Sequence, residues 1–437
     1  MKARLPLIAA LVVALFPLKA SAQAWVSNPD FSEGVGIRAG NLELHPSIGA
    51  EFGYDSNYFR SSPQEGPVVD VFKLRVTPSI TLATLGGERR NANTPPKFTF
   101  SSSANASYHE VIPAGSEEVR GAARRNVGGG VDARLNVFPK GKVGFDLLGS
   151  YVRIIETEGN AEDLAGDGFN RGSLRGGGGV TWRPGGGQFE WRVGYQATYH
   201  YFENGDFSSF NNLQHDINSR GRWRFLPRSA LLFDTNYILV RYNRNNVETD
   251  GDLVRARVGF HGLVTYHLAL MGLVGWTTSF YEAQGNIKPR QFDSVVAHAE
   301  ARWFLQSRPD LDSTTITSGL SSIAVGYLRS FSNSYYGSFY QRDRGYLQFS
   351  MFLLGAVAGG IEFGVSRVAY PAVTVPAPKD SFSQLRLDGR MFAEYRLTDI
   401  WAMNATLQYD KVNSEVVNNE HLDYDRFQAY VGMRLFW

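Results

Sequence analysis

The sequence predicts an all-β fold: a transmembrane, up-and-down antiparallel β-barrel of about 18 strands, or 16 if one hairpin is miscounted, behind a cleaved signal peptide. Three observations predict it. Apolar and polar residues alternate over stretches far longer than the roughly five or six residues of an ordinary soluble strand. Short and long connections follow each other in rotation. The chain also stops on "YVGMRLFW", a strand pattern that stays apolar on one face up to Trp437, where a soluble terminus would be frayed and polar.

The amino terminus comes first. Lys2 and Arg4 precede the 14-residue apolar run "LPLIAALVVALFPL", and "ASA" puts small residues before Gln23. This is the layout of a secretory signal peptide over 1–22, and no cysteine follows to carry a lipid anchor. Residues 23–40 are then a periplasmic amino-terminal segment and 41–437 the barrel, with no plug domain between them. Loss of Lys2, Arg4 and Lys19 moves the net charge from +2 to −1, so no basic arm for nucleic acid remains. The absence of cysteine excludes a disulfide framework and thiolate chemistry. After residue 22 no apolar run approaches the ~20 residues of a membrane helix; "MFLLGAVAGGI" at 351–361 is short and broken by glycine.

Strands are expected near 41–58, 68–85, 96–109, 120–138, 141–156, 169–184, 187–203, 212–227, 229–243, 252–266, 268–283, 290–306, 315–331, 342–355, 359–371, 382–397, 400–414 and 422–437. In "QFEWRVGYQATYHYF" (188–202), Phe189, Trp191, Val193, Tyr195, Ala197, Tyr199 and Tyr201 share one face, opposite Glu190, Arg192, Gln196, Thr198 and His200. The same alternation sets Arg220, Arg222 and Arg224 with Asp216 on one side of 215–225, and Arg386, Asp388 and Arg390 on one side of 383–397. Alternation is weakest at 335–371. Short turns such as "FPKGK" and "LTDI" trade places with longer loops such as 156–168, which fits short turns in the periplasm and long loops outside. Tyr54, Tyr58, Phe59, Tyr199, Tyr201, Tyr281, Trp303, Trp401 and Tyr409 lie near segment ends, as interfacial girdles require. Lipid leaves no partner for an open strand edge, so the barrel must close. At the carboxyl terminus, Val431, Met433, Leu435 and Trp437 face lipid.

Function must be read from the bore. The eight histidines show no metal-ligand spacing, "LRGGGGVTW" lacks the lysine and helix of a phosphate loop, and His298, Glu300 and Arg302 read as ordinary bore polarity. No enzyme, cofactor or metal is expected. The inward faces carry an arginine ladder; Arg192, Arg220, Arg222, Arg224, Arg255, Arg257, Arg386 and Arg390, with Glu190, Asp216 and Asp388, are the candidate solute path. Ion pairing that stiffens the wall explains most of them, and a guide for anionic or hydroxyl-rich solutes is the sharper reading. Three cations on one face single out Arg220, Arg222 and Arg224.

The segment "GIRAGNLELHPSIGAEFGYDSNYF" (36–59) resembles the opening of the beta-barrel porin type two family, through Leu42, Leu44, Pro46, Tyr54, Asp55 and Asn57. The resemblance implies an exit port for exopolysaccharide or capsular polysaccharide, working beside a periplasmic co-polymerase or export protein. The ending resembles the recognition signature of outer-membrane barrels, in Gly432, Leu435 and Trp437, which implies delivery to the barrel-assembly machinery. The rival readings are an uptake porin for small hydrophilic solutes and a non-conducting barrel serving as adhesin, scaffold or membrane enzyme.

Overall fold

Long alternating segments can satisfy their backbone only by pairing sideways, and in the computed structural model every one of them does so. It describes residues 36–64, 66–85, 96–115, 119, 124–155, 170–203, 205–243, 250–282, 290–305, 321–333, 339–353, 356–372, 381–415 and 421–437. The expected signal peptide and the segment up to residue 35 lie outside these, as does the whole acidic loop at 156–168.

A three-residue strand, β1 (Ile37–Ala39), precedes eighteen long ones: β2 (Leu42–Asp55), β3 (Val71–Thr84), β4 (Phe98–Pro113), β5 (Arg125–Val137), β6 (Val143–Ile155), β7 (Asn170–Trp182), β8 (Phe189–Phe202), β9 (Asn212–Leu226), β10 (Ser229–Tyr242), β11 (Gly251–Leu263), β12 (Leu268–Tyr281), β13 (Asp293–Phe304), β14 (Ser322–Asn333), β15 (Phe339–Leu353), β16 (Val357–Tyr370), β17 (Phe382–Arg396), β18 (Trp401–Ser414) and β19 (Tyr424–Phe436). All eighteen expected strands are present. The largest boundary shift is at β14, which starts at Ser322 where 315 was expected. Each strand pairs antiparallel with the next, and β19 returns to β2, from Gln428↔Asp55 to Phe436↔Ser47. The sheet is therefore a closed ring with no edge left for lipid to strand. Where β19 runs out, β1 continues the seam by pairing Ile37↔Leu44, Arg38↔Glu43 and Ala39↔Leu42. The Trp437 amide also donates to the Pro46 carbonyl at 3.0 Å.

The strict rotation of short and long connections fails three times. Residues 85–97, between β3 and β4, and 305–321, between β13 and β14, make long connections at the short-turn end; 334–338, between β14 and β15, make a short one at the other end. Closure fixes where strand ends meet but not how much chain joins them, and extra loop length costs little entropy.

The two faces reverse the pattern of a soluble protein. Outward, Val431 (64% exposed), Leu147 (58%), Phe363 (58%) and Val258 (56%) stand free. Inward, Lys73, His109, Thr277 and Arg426 are buried. An apolar surface of this extent on a monomer is stable only against hydrocarbon. No helix among the described residues is long and apolar enough to cross a membrane. Six of the chain's eight tryptophans, Trp182, Trp191, Trp223, Trp303, Trp401 and Trp437, ring the outside of the short-turn end.

Not every aromatic joins the expected girdle: Tyr281 falls on the inward face of β12 and stacks with Phe339, and Phe59 packs against Tyr58. Tyr58 is buried with Val69, Val71, Val111 and Val119, and the Lys73 ammonium sits 5.2 Å from its ring. Val71, Lys73 and Val111 are inward residues, so the chain leaving β2 bends over the mouth of the bore rather than along the membrane surface.

Candidate functional site

The seam explains the residues at the tip of β2. Asp55 accepts two hydrogen bonds from Arg426 of β19, from Nε at 2.8 Å and Nη2 at 2.5 Å. Both side chains are essentially inaccessible to solvent. Gln428 Nε2 adds a third bond to Asp55, at 3.0 Å. Asn57 then ties the following loop down: its Nδ2 donates to the Ser61 carbonyl (2.9 Å) and to the Asp425 carbonyl of β19 (3.2 Å). Arg60, in the left-handed region at φ 56°, turns inward from this loop and lines the bore. The residues that carried the family resemblance thus fasten the first strand to the last.

Inward glycines decide which charges meet. On β7, Gly179 lies between β6 and β8, and Arg192 of β8 reaches across it to Asp146 of β6 with bonds of 2.8 and 2.6 Å. A Cβ at Gly179 would sit 2.6 Å from Arg192 Nη2, so the guanidinium could not keep this position. On β16, Gly364 does the same for Arg344 of β15, which reaches Asp388 of β17 and also bonds Glu362 at 2.7 Å. There a Cβ would meet Arg344 Nη2 and Asp388 Oδ2 at 2.6 Å each. Gly432 of β19 leaves room for Asn404 of β18 to bond Glu51 of β2 at 2.6 Å, so this part of the expected assembly signature also has a role in the wall. A strand spacing of about 4.8 Å puts next-but-one neighbours roughly 10 Å apart, a gap that a long side chain closes only over a bare backbone.

The predicted arginines divide into two groups. On β8 to β11, the row Arg192, Arg220, Asp234, Arg257 runs across four neighbouring strands. Arg257 pairs with Asp234 through Nε (2.9 Å) and Nη2 (2.6 Å), while Arg255 bonds Asn236 at 2.9 Å and Asn236 in turn bonds Asp216 at 3.1 Å. Glu190 takes Arg183 at 3.1 Å and Arg222 at 3.4 Å. The three cations Arg220, Arg222 and Arg224 therefore do not form one unit: Arg222 is held by Glu190, whereas Arg220 stands exposed in the bore with no ion pair among the described residues. Nearby, His298 and Glu300 converge on the Tyr346 hydroxyl (3.2 and 2.6 Å), and Arg302 holds the other oxygen of Glu300 at 2.9 Å.

The second group, Arg386, Asp388 and Arg390, lines a cavity of about 820 Å³ between β15 to β19 and β2 to β4. Seven arginines border it (Arg60, Arg75, Arg342, Arg344, Arg386, Arg390 and Arg434) against four carboxylates (Glu51, Glu362, Asp388 and Asp410). Arg390 is exposed there, without an ion pair among the described residues. Arg342, Arg344 and Glu362 are not among the candidates read from sequence. They fall in the Tyr-rich and Gly-rich stretch where alternation is faint, and the recoverable signal was the period of two in Tyr340, Arg342, Arg344 and Tyr346.

No family model matches the chain, and no curated protein matches it. Solved structures do resemble it. OpdK of Pseudomonas aeruginosa, solved with vanillate, is 12% identical with a TM-score of 0.48, covering 90% of this chain and 99% of OpdK. OpdQ of the same organism is 8% identical at 0.47, covering 91% and 100%. The apoprotein form of the FrpB iron transporter from Neisseria meningitidis is 8% identical at 0.50, covering 87% of this chain and 62% of FrpB. At that identity the likeness is one of fold. Only one arrangement wets the charged inside of a sealed eighteen-strand cylinder while keeping its apolar outside dry. The chain is a multi-pass outer-membrane β-barrel of a Gram-negative bacterium.

Proposed function

We propose that the barrel is a passive uptake channel for small hydrophilic solutes, with anions favoured over cations. The observation that carries this is the cavity of about 820 Å³ bordered by seven arginines and four carboxylates. Guanidinium groups supply paired donors to carboxylates and phosphates and stay charged at any physiological pH. This reading replaces polysaccharide export. Asp55 and Asn57, which carried the family resemblance, are engaged in closing the wall, and no family model supports the resemblance. A polymer, co-polymerase or export-protein partner would belong to that alternative reading.

The test is reconstitution of the mature chain in planar bilayers under a salt gradient. A reversal potential showing anion preference is expected, together with uptake of small organic anions by liposomes. Absence of conductance, or cation preference, would overturn the proposal. Engagement of Gly432, Leu435 and Trp437 by the barrel-assembly machinery is also proposed. It rests on the outward exposure of Trp437 at the final strand, and removal of Trp437 should leave unfolded chain in the periplasm.

A further inference from the structure

The outer wall carries a second pattern, unrelated to the bore. At the long-loop end, outward-facing tyrosine, carboxylate and arginine side chains recur as sets. Tyr108 donates to Glu110 at 2.5 Å, and Arg125 of the next strand bonds the same carboxylate through Nε at 2.8 Å. Tyr237 donates to Asp252 at 2.6 Å, and Arg241 Nη1 lies 2.9 Å from that carboxylate. Tyr327 donates to Asp343 at 2.6 Å, and Arg329 Nε lies 3.6 Å away. Nothing of this kind occurs among the described residues of the short-turn end, where tryptophan dominates.

Charged sets on a lipid-facing wall mark headgroup depth, because a charge in the hydrocarbon is costly. In each set the arginine is more exposed than its acid: 65% against 18% at Arg125, 37% against 26% at Arg241, and 36% against 29% at Arg329. The tyrosine and carboxylate hold the guanidinium in place, and Arg125 spends only Nε on Glu110, leaving both Nη groups available. We propose that this girdle binds the phosphate groups of a phosphorylated glycolipid in the outer leaflet, with Arg125, Arg241 and Arg329 as the contacts. Three sets on strand pairs spread around the ring would give the barrel a collar of such lipid. Their confinement to one rim matches a membrane whose leaflets differ.

The test uses the full mature chain in phosphatidylcholine vesicles containing bisphosphorylated lipid A, its dephosphorylated form, or phosphatidylglycerol. The native barrel should retain bisphosphorylated lipid A after gel filtration in detergent. Each of R125A, R241A and R329A should remove about a third of the retained lipid, one site in three, and the triple variant nearly all of it, with conductance unchanged as proof of folding. Lysine at the same positions should restore part of it, which also covers any alanine variant that fails to insert. Equal retention by native and alanine proteins would overturn the proposal, as would equal retention of the dephosphorylated form or of phosphatidylglycerol.

Discussion

The Asp55 carboxylate sits in the closing seam with no access to water, and Arg426 is its counter-charge. Removing one member of a buried ion pair leaves the other uncompensated, at a cost of about 3–5 kcal/mol. D55A is therefore expected to lower the temperature at which the barrel unfolds on a heated gel. D55A/R426A should lie closer to the native protein than either single variant, because no orphan charge remains; a double variant worse than both singles would contradict this. Another residue-scale effect lies at the outer rim. Glu203 is held below its ordinary value of 4.5, first by hydrogen bonds from Arg153. Its folded pKa is the depressed one, so the stabilisation is complete above about pH 4.5 and fades as the pH falls through the depressed value. The pair is part-exposed and the effect small. Unfolding measured between pH 7 and 3 should show E203Q lacking this slope.

At the scale of strands, the inward glycines set the wiring. Gly364→Val puts atoms where Arg344 crosses to Asp388, so Arg344 must leave its partners or the strand must shift, costing about 1–3 kcal/mol. Single-channel conductance is expected to fall as the displaced guanidinium enters the bore. Gly345→Val on the neighbouring strand points outward with nothing within 4 Å and is expected to be silent. Equal effects from the two would remove the crossing role. Here sequence was half legible. The run "GGGG" at 176–179 reads as room inside a barrel, but which arginine uses that room depends on register between strands joined by loops of varied length.

For the whole molecule, the balance of charge in the bore is the quantity that matters. Arg220 and Arg390 stand on different walls, exposed and without ion pairs among the described residues, so changing both to glutamate should shift the field along the path towards negative without unpairing any described acid. R220E/R390E is expected to shift the reversal potential towards cation preference. R222A, by contrast, frees part of Glu190 and should act mainly on stability. Unchanged selectivity in R220E/R390E would take these two residues off the path.

The sequence alone determined the barrel, its count to within one hairpin, the inward and outward faces, the amphipathic last strand and the arginine-rich bore. Each of these is written in a period of two that neighbouring residues carry by themselves. Only tertiary structure decided the partners. Asp55 and Arg426 are 371 positions apart, and Asp146 and Arg192 are 46. Such contacts depend on how the ring closes and on the register of every hairpin between them, which no local pattern encodes.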